Sequence, residues 1–406
     1  MNVKKIHILI KYFHPIIIIF FLVLFSYISF FNFIIGYFTY CLYIYYSSNT
    51  YLYYTKNEFN NNILNNCPSI KNPKFRQYFY LPFNLFQFFL QRYTIQRKFN
   101  QEINLEEEKV DDEGTIIIWA SYKNIKNDHS KPALLVFPGI TGKCSDSYIK
   151  NIISAGLKNH FDVVIYQMRI LSHQMKMPKN TEYVYLNEDI NNSIKKIKEV
   201  NKNDLYAIGF SYGANLLTNY LGTKNLETKY ICAAISISNP FDCIMSERLG
   251  EDTFFEDLIL YFEKKNYIPV AYSINKEKDF IDINYLKTCK RIRDFDAKFA
   301  AKILGYKNAD DYYRGISSIN NIKSVNIPFL IIHSKDDPVC SYKGLPVDAI
   351  FENKNIIFIL TDKGAHSCFI ENKKNFSISV TQWSLKPVIE FLNYFKNKNS
   401  KNNLIN

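Results

Sequence analysis

The sequence predicts an α/β fold: a mostly parallel sheet flanked by helices, interrupted by a helical insertion and preceded by an N-terminal transmembrane helix. Three observations predict it. Between Lys11 and Lys56 no Lys, Arg, Asp or Glu occurs, and Pro15 to Ile35 is almost wholly Ile, Phe, Leu, Val and Tyr. From Thr115 onward, short β-branched apolar runs alternate with amphipathic stretches. That alternation breaks between Ile237 and Phe329, where segments of helical period take over.

A helix of about 20 residues crosses the hydrocarbon of a bilayer, so 15–35 suffices for one span. It is also too long for the apolar core of a cleaved secretory signal, which runs to about 15 residues. The aromatics that continue from Tyr37 to Tyr54 suit an interfacial belt or a poor second span; one span is the simpler reading. Lys4, Lys5 and Lys11 precede the span, whereas Lys56 and Glu58 nearly cancel after it. The positive-inside rule then puts the N-terminus in the cytosol, with the protein in an endomembrane or the plasma membrane. The triplets at Asn191 and Asn375 fit the glycosylation pattern, which an Asn-rich chain also produces by chance.

The expected organisation is a short tail at 1–14, the anchor and aromatic segment at 15–47, and a juxtamembrane extension at 48–110. An α/β domain follows at 111–396 with its insertion at about 240–325, then a disordered tail at 397–406. Within the domain, the runs Thr115–Trp119, Ala133–Phe137, Val163–Tyr166, Leu205–Phe210, Ile231–Ile237, Phe329–Ile332 and Ile356–Leu360 are hydrophobic on both faces, which marks buried strands. Helices are expected at 148–158, 189–200, 214–221 and 381–396, and inside the insertion at 254–264 and 291–304. Strands alternating with helices imply a parallel sheet covered on both faces.

The 406 residues are 47% hydrophobic and 22% charged, which excludes a disordered or coiled-coil chain. The net charge of +12 comes from lysines scattered among asparagines, with no nucleic-acid reader motif, so no nucleic-acid partner is expected. Eight cysteines show no CxxC pair or metal-ligand spacing, so no metal site is expected.

The sharpest local signal is Gly209-Phe210-Ser211-Tyr212-Gly213, directly after one expected strand and directly before a helix. This is the G-x-S-x-G elbow in the context that it requires, a tight turn that holds a serine in strained backbone with glycines leaving room on either side. A serine hydroxyl needs a base to take its proton, and the chain order for this elbow is Ser, Asp, His. The strand 329–332 leads into His333-Ser334-Lys335-Asp336-Asp337-Pro338, and the strand 356–360 leads into Gly364-Ala365-His366. His366, just after the last strand, is therefore the expected base, and His333, at a strand end, is favoured as a structural residue over a second candidate. Asp337, one residue deeper in its loop and preceding Pro338, is favoured as the orienting acid over Asp336, which is expected to be a solvated neighbour. The oxyanion needs N–H donors. Phe137-Pro138-Gly139-Ile140-Thr141-Gly142 follows a strand, so the donors expected are the backbone N–H groups of Ile140 and Tyr212.

These residues resemble the α/β-hydrolase superfamily and, within it, the membrane-anchored YheT-like branch that contains the abhydrolase-domain-containing proteins one, two and three. The resemblance covers about Cys67 to Phe395. It rests on the elbow through Tyr220-Leu221-Gly222, on Pro138-Gly139-Ile140-Thr141-Gly142 with Ser147-Tyr148, and on Arg291-Ile292-Arg293-Asp294-Phe295-Asp296 with Gly305-Tyr306 and Asp310-Asp311-Tyr312-Tyr313, which is similar to the branch's cap signature. The chain departs from the branch at Gly364-Ala365-His366-Ser367-Cys368-Phe369, where Gly-Gly-His-x-Gly-Phe is usual, at Arg169-Ile170 in place of Arg-Gly, and at Phe86-Gln87-Phe88.

The resemblance implies an α/β-hydrolase fold with a helical cap, a triad of Ser211, Asp337 and His366, and no cofactor. It implies hydrolysis of lipid or fatty esters by an esterase or lipase, with acyl transfer to an alcohol as the alternative using the same residues. A non-catalytic scaffold would predict loss of a triad member, and all three are present. Acyl length, head group and oligomeric state are not legible.

Overall fold

The computed structural model describes residues 30–94, 99–111, 115–125, 128–169, 184–223, 226–277 and 279–403. A nine-stranded sheet forms its centre. Its strands are β1 (Thr50–Tyr54), β2 (Ile103–Lys109), β3 (Ile116–Tyr122), β4 (Ala133–Phe137), β5 (Asp162–Gln167), β6 (Leu205–Phe210), β7 (Ile231–Ile237), β8 (Phe329–Ser334) and β9 (Ile356–Thr361). They lie in the order β1-β9-β8-β7-β6-β4-β5-β3-β2. The six strands from β9 to β5 run parallel, as sequences apolar on both faces require, and every residue of β4, β6, β8 and β9 is buried. Helices Ser147–Lys158 and Leu385–Asn403 pack on one face, where Ile149, Ile152, Val388 and Phe391 meet Ile208 and Ile235. Helices Val184–Val200 and Tyr212–Gly222 cover the other, with Ile190, Ile194 and Leu216 against Leu135 and Val164.

Both edges come from the segment expected to lie outside the domain. β1 pairs antiparallel with β9 and β2 antiparallel with β3, so 48–110 is part of the sheet, not an extension before it. β1 is Thr-Tyr-Leu-Tyr-Tyr, half-buried throughout, and Tyr53 stacks on Phe358 and meets Phe351 edge-on, which corrects the reading of the β1 aromatics as a membrane belt. β2 carries Glu106, Glu107 and Glu108 at an outer edge, where charge prevents pairing with another chain; the same charges hid it from an apolar pattern search.

The expected span at 15–35 lies outside the described residues except for Phe30–Ile35, and no described helix is long and apolar enough to cross a membrane. The first described helix, Phe30–Ser47, packs one face on the domain through Cys41, Tyr45 and Phe79, and Arg76 Nη1 donates to the Tyr45 carbonyl at 2.6 Å. Its other face leaves Phe38, Leu42, Tyr43 and Tyr46 exposed.

Two boundaries at the C-terminus also move. Residues 380–382 form a short strand, β11, that pairs with β10 (Ile370–Asn372), and the last helix starts only at Leu385. That helix continues to Asn403, and Asn399 donates to the Asp204 carboxylate at 3.0 Å, so the expected disordered tail is helical as far as the described residues reach. Between β7 and β8, the described residues form only helices and turns. The longest, Phe254–Glu277, outruns the expected 254–264 and carries Pro269 within it. Helices Ile292–Lys298 and Ala300–Ile303 divide the one expected at 291–304, at Phe299.

Candidate active site

Ser211 is held at φ 53° and ψ −123°, a strained backbone at the junction of β6 and helix Tyr212–Gly222. Its N–H donates to the Ile237 carbonyl at 2.8 Å and its carbonyl accepts from Asn215 N–H, which fixes the turn from both sides. The flanking glycines are steric requirements. A Cβ at Gly209 would lie 2.5 Å from Ala214 Cα, and one at Gly213 would lie 2.2 Å from the Pro138 carbonyl oxygen.

The structure brings the three expected side chains together. His366 Nε2 lies 2.8 Å from Ser211 Oγ, and His366 Nδ1 lies 2.9 and 3.1 Å from the two oxygens of Asp337. A carboxylate only accepts, so Nδ1 carries the proton and Nε2 is left to accept from the serine hydroxyl. Asp337 is itself positioned, because Oδ1 accepts from the N–H groups of Val339 at 2.9 Å and Cys340 at 2.8 Å. Buried His333 stands behind this loop and donates from Nε2 to the Cys340 carbonyl at 2.9 Å, a supporting place and not one at the serine.

Asp336 is not the solvated neighbour expected. Its side chain is only 11% exposed, and its Oδ1 accepts from Ala365 N–H at 2.9 Å, tying the acid loop to the histidine loop. That clamp, with the Ser334 hydroxyl donating to the Ala365 carbonyl at 2.7 Å, holds Ala365 at φ 52°, a conformation that glycine adopts more readily. It accounts for how the loop keeps its shape with alanine where the related branch has glycine. Burial pushes the Asp336 carboxyl up from 3.8 to about 6. The folded state then keeps a proton that the unfolded chain releases, so stability falls as pH rises from about 4 to 6. Asp336→Asn is expected to flatten that fall, checked by melting temperatures of variant and wild type across pH 4–7.

The loop after β4 packs beside the serine. Gly139 sits against the nucleophile, where a Cβ would lie 3.2 Å from Ser211 Cβ, and its N–H donates to Tyr148 Oη at 3.1 Å. Ile140 follows and lines the space around Ser211, as does Tyr212 at the start of the helix. Among the described residues, no protein group accepts from the N–H of Ile140 or Tyr212. Both residues therefore place an N–H without a protein acceptor beside Ser211.

Two cavities meet at Ser211. The larger, about 510 Å³, is bordered by His366, Lys143, Lys265 and Asn266. The smaller, about 140 Å³, runs into the helical segment between β7 and β8 and is lined by Tyr212, Ile259, Ile316 and Val339 among others. Asp337, Cys340 and His366 also bring potential metal ligands within 4.8 Å of one another. The chemistry fits a metal poorly: burial pushes the Cys340 thiol well above its usual range, and Asp337 and His366 already face each other. Sequence reasoning missed Cys340 and Val339, because backbone donors leave no residue signature.

Residues 132–373, more than half of the chain, match the family described as the alpha/beta hydrolase fold. The chain belongs to the α/β-hydrolase fold family. The match contains the Ser211 elbow, the Ile140 loop and both loops of Asp337 and His366. Within the family, the chain is 29% identical over 286 residues to the monoacylglycerol lipase of Saccharomyces cerevisiae, covering 67% of this chain and 61% of that one. It is 29% identical to human phospholipase ABHD3, covering 60% and 59%, which agrees with the abhydrolase-domain-containing branch that the motifs resemble. An abhydrolase domain-containing protein of Dictyostelium discoideum is 26% identical over 85% of this chain and 88% of its own length. The chain spans about three fifths of the length of the first two of these α/β-hydrolase relatives.

Proposed function

We propose that the protein is a serine carboxylic-ester hydrolase acting on lipid-derived acyl esters, with Ser211 as nucleophile, His366 as base and Asp337 as the group that orients the imidazole. The observation that carries this reading is the unbroken line from Ser211 Oγ through His366 to Asp337, at a serine held in strained backbone. In the first step, Oγ adds to the ester carbonyl while Nε2 takes its proton, and the oxyanion rests on the N–H groups of Ile140 and Tyr212. Collapse expels the alcohol, protonated by His366. Water, deprotonated by the same nitrogen, then releases the acid and restores Ser211.

A lipid substrate is supported by relatives named as a monoacylglycerol lipase and a phospholipase, and by the apolar lining of the smaller cavity. The single span proposed at 15–35, with the N-terminus cytosolic, would hold the site beside its source of acyl chains. The exposed aromatic face of helix Phe30–Ser47 suits the lipid interface at the end of that span. The test is to label the membrane-bound protein with a fluorophosphonate and map the adduct by peptide mass. A single adduct on the peptide containing Ser211 is expected. An adduct elsewhere, or none on folded protein, overturns the assignment.

A further inference from the structure

The smaller cavity is apolar over most of its wall but not at its far side. Four carboxyl side chains line it: Glu247, Glu256, Glu263 and Asp296. Two of them are occupied. Glu247 pairs with Arg293 at 3.1 Å, and Glu256 accepts from the N–H groups of Asp252 at 2.6 Å and Ile292 at 3.2 Å. Glu263 differs. It is 1% exposed, and its Oε2 has no hydrogen-bond partner among the described residues. Asp296, also buried, has only a Tyr313 hydroxyl, which donates to Oδ2 at 2.8 Å. A buried carboxyl oxygen left without a partner is costly, so a group facing this cavity is expected to meet it.

Which end of an ester enters follows from the histidine. The leaving alcohol must receive its proton from His366 Nε2, and His366 borders the larger cavity and is absent from the lining of the smaller one. The alcohol therefore departs through the larger cavity, whose wall carries Lys143, Lys265 and Asn266, and the acyl chain enters the smaller.

We propose that the cavity between Ser211 and the Glu263–Asp296 pair is an acyl pocket with a hydrogen-bonding floor, selecting acyl chains that carry a hydroxyl or other uncharged polar group near their far end. This rests on the hydrolase reading above and adds a specificity to it. Burial raises both carboxyls, with the charge of Asp296 adding to the rise at Glu263 and that of Glu247 to the rise at Asp296, which reaches about 7, so near neutral pH Asp296 offers an O–H donor as well as an acceptor. A hydroxyl, which both donates and accepts, matches such a floor; a methyl group leaves it unpaired.

The experiment compares kcat/KM for pairs of ethyl esters that differ only in a terminal hydroxyl against a terminal methyl, over chains of four to eight acyl atoms, using the full-length protein. Wild type is expected to favour the hydroxyl member at one chain length by about tenfold or more. Glu263→Leu is expected to reverse that preference, and Glu263→Gln, which keeps size and a donor, to retain part of it. Melting temperatures show whether each variant is folded; if Glu263→Leu is not, the Gln variant and the wild-type ratio decide. A wild-type preference for methyl at every length overturns the proposal, as does a ratio that Glu263→Leu leaves unchanged. A preference for a terminal ammonium over the hydroxyl, lost in Glu263→Leu, also overturns it by making the floor a cation site. Hydrolysis of both esters that survives Ser211→Ala refutes Ser211 as the nucleophile, and no hydrolysis of either ester by folded wild type refutes the hydrolase reading, so these failures are distinguishable from failure of the acyl-pocket proposal.

Discussion

Asp337→Asn is expected to lower ester hydrolysis by about ten-thousand-fold with the fold intact. The amide is nearly isosteric, but its NH₂ either faces His366 Nδ1 or displaces the N–H groups of Val339 and Cys340 that now point at Oδ1. If the NH₂ turns to the ring, Nδ1 becomes the acceptor and the proton moves to Nε2, the atom that must accept from Ser211. The loss is thus one of tautomer, with no charge relay invoked. Ser211→Ala is expected to cost about a million-fold, and the double variant no more than Ser211→Ala alone, because the residues act as one unit. Initial rates on a single ester for all three variants provide the check. Asp336→Asn, in the adjacent position, distinguishes the two acids: a comparable collapse of activity there with Asp337→Asn still active would exchange their roles.

Gly213→Ala is expected to be the most damaging single-methyl change in the domain. Its Cβ would lie 2.2 Å from the Pro138 carbonyl oxygen and 2.3 Å from that of Phe137. Neither oxygen can retreat freely, since Phe137 ends β4, which is hydrogen-bonded on one side to β5 and on the other to β6. Either the elbow or the oxyanion loop must shift, so stability and catalysis fall together. A loss of about 3 kcal/mol is expected, seen as a melting temperature lower by about 3–5 °C. Gly250→Ala, where an added Cβ meets nothing within 4 Å, serves as the control and is expected to melt within about a degree of wild type. Equal melting of both variants would show that the two loops separate without cost.

What the sequence disclosed followed the physics that writes itself into residue type. Buried parallel strands must be apolar on both faces, so β4 to β9 were legible, and a strained serine turn needs its glycines, so Ser211 was too. The meeting of Asp337 and His366 at Ser211 was legible from chain order and from loops at strand ends. The edge strands were not legible, because an edge is permitted to be charged, as in β2, or aromatic and half-buried, as in β1. The roles of Asp336, Val339 and Cys340 were hidden for another reason. They act through backbone groups or through a clamp between loops that are 29 residues apart, and nothing in local pattern records such a contact. Glu263 is similar: on a long helix rich in Lys and Glu it reads as surface, and only the packing of the helical segment over Ser211 turns it inward.

The β1 strand has a mechanical consequence. It follows directly on helix Phe30–Ser47, and its first rung pairs Thr50 with Thr361, closed by Asn49 N–H donating to the Asp362 carboxylate at 2.8 Å. Five residues beyond that rung, along the same chain, stands His366. A pull on the N-terminal side loads the ladder at its Thr50–Thr361 end first, so it unzips from the rung nearest the histidine. Tension on a tethered molecule would therefore reach the edge of β9 ahead of the rest of the sheet, with the bonds of Asp336 and Ser334 to Ala365 left to keep the histidine loop in place. For the same reason, a truncation that stops before Asn49 keeps the sheet whole, whereas one that reaches Tyr54 bares the edge of β9 and leaves the bonds of Asp336 and Ser334 to hold the histidine loop alone.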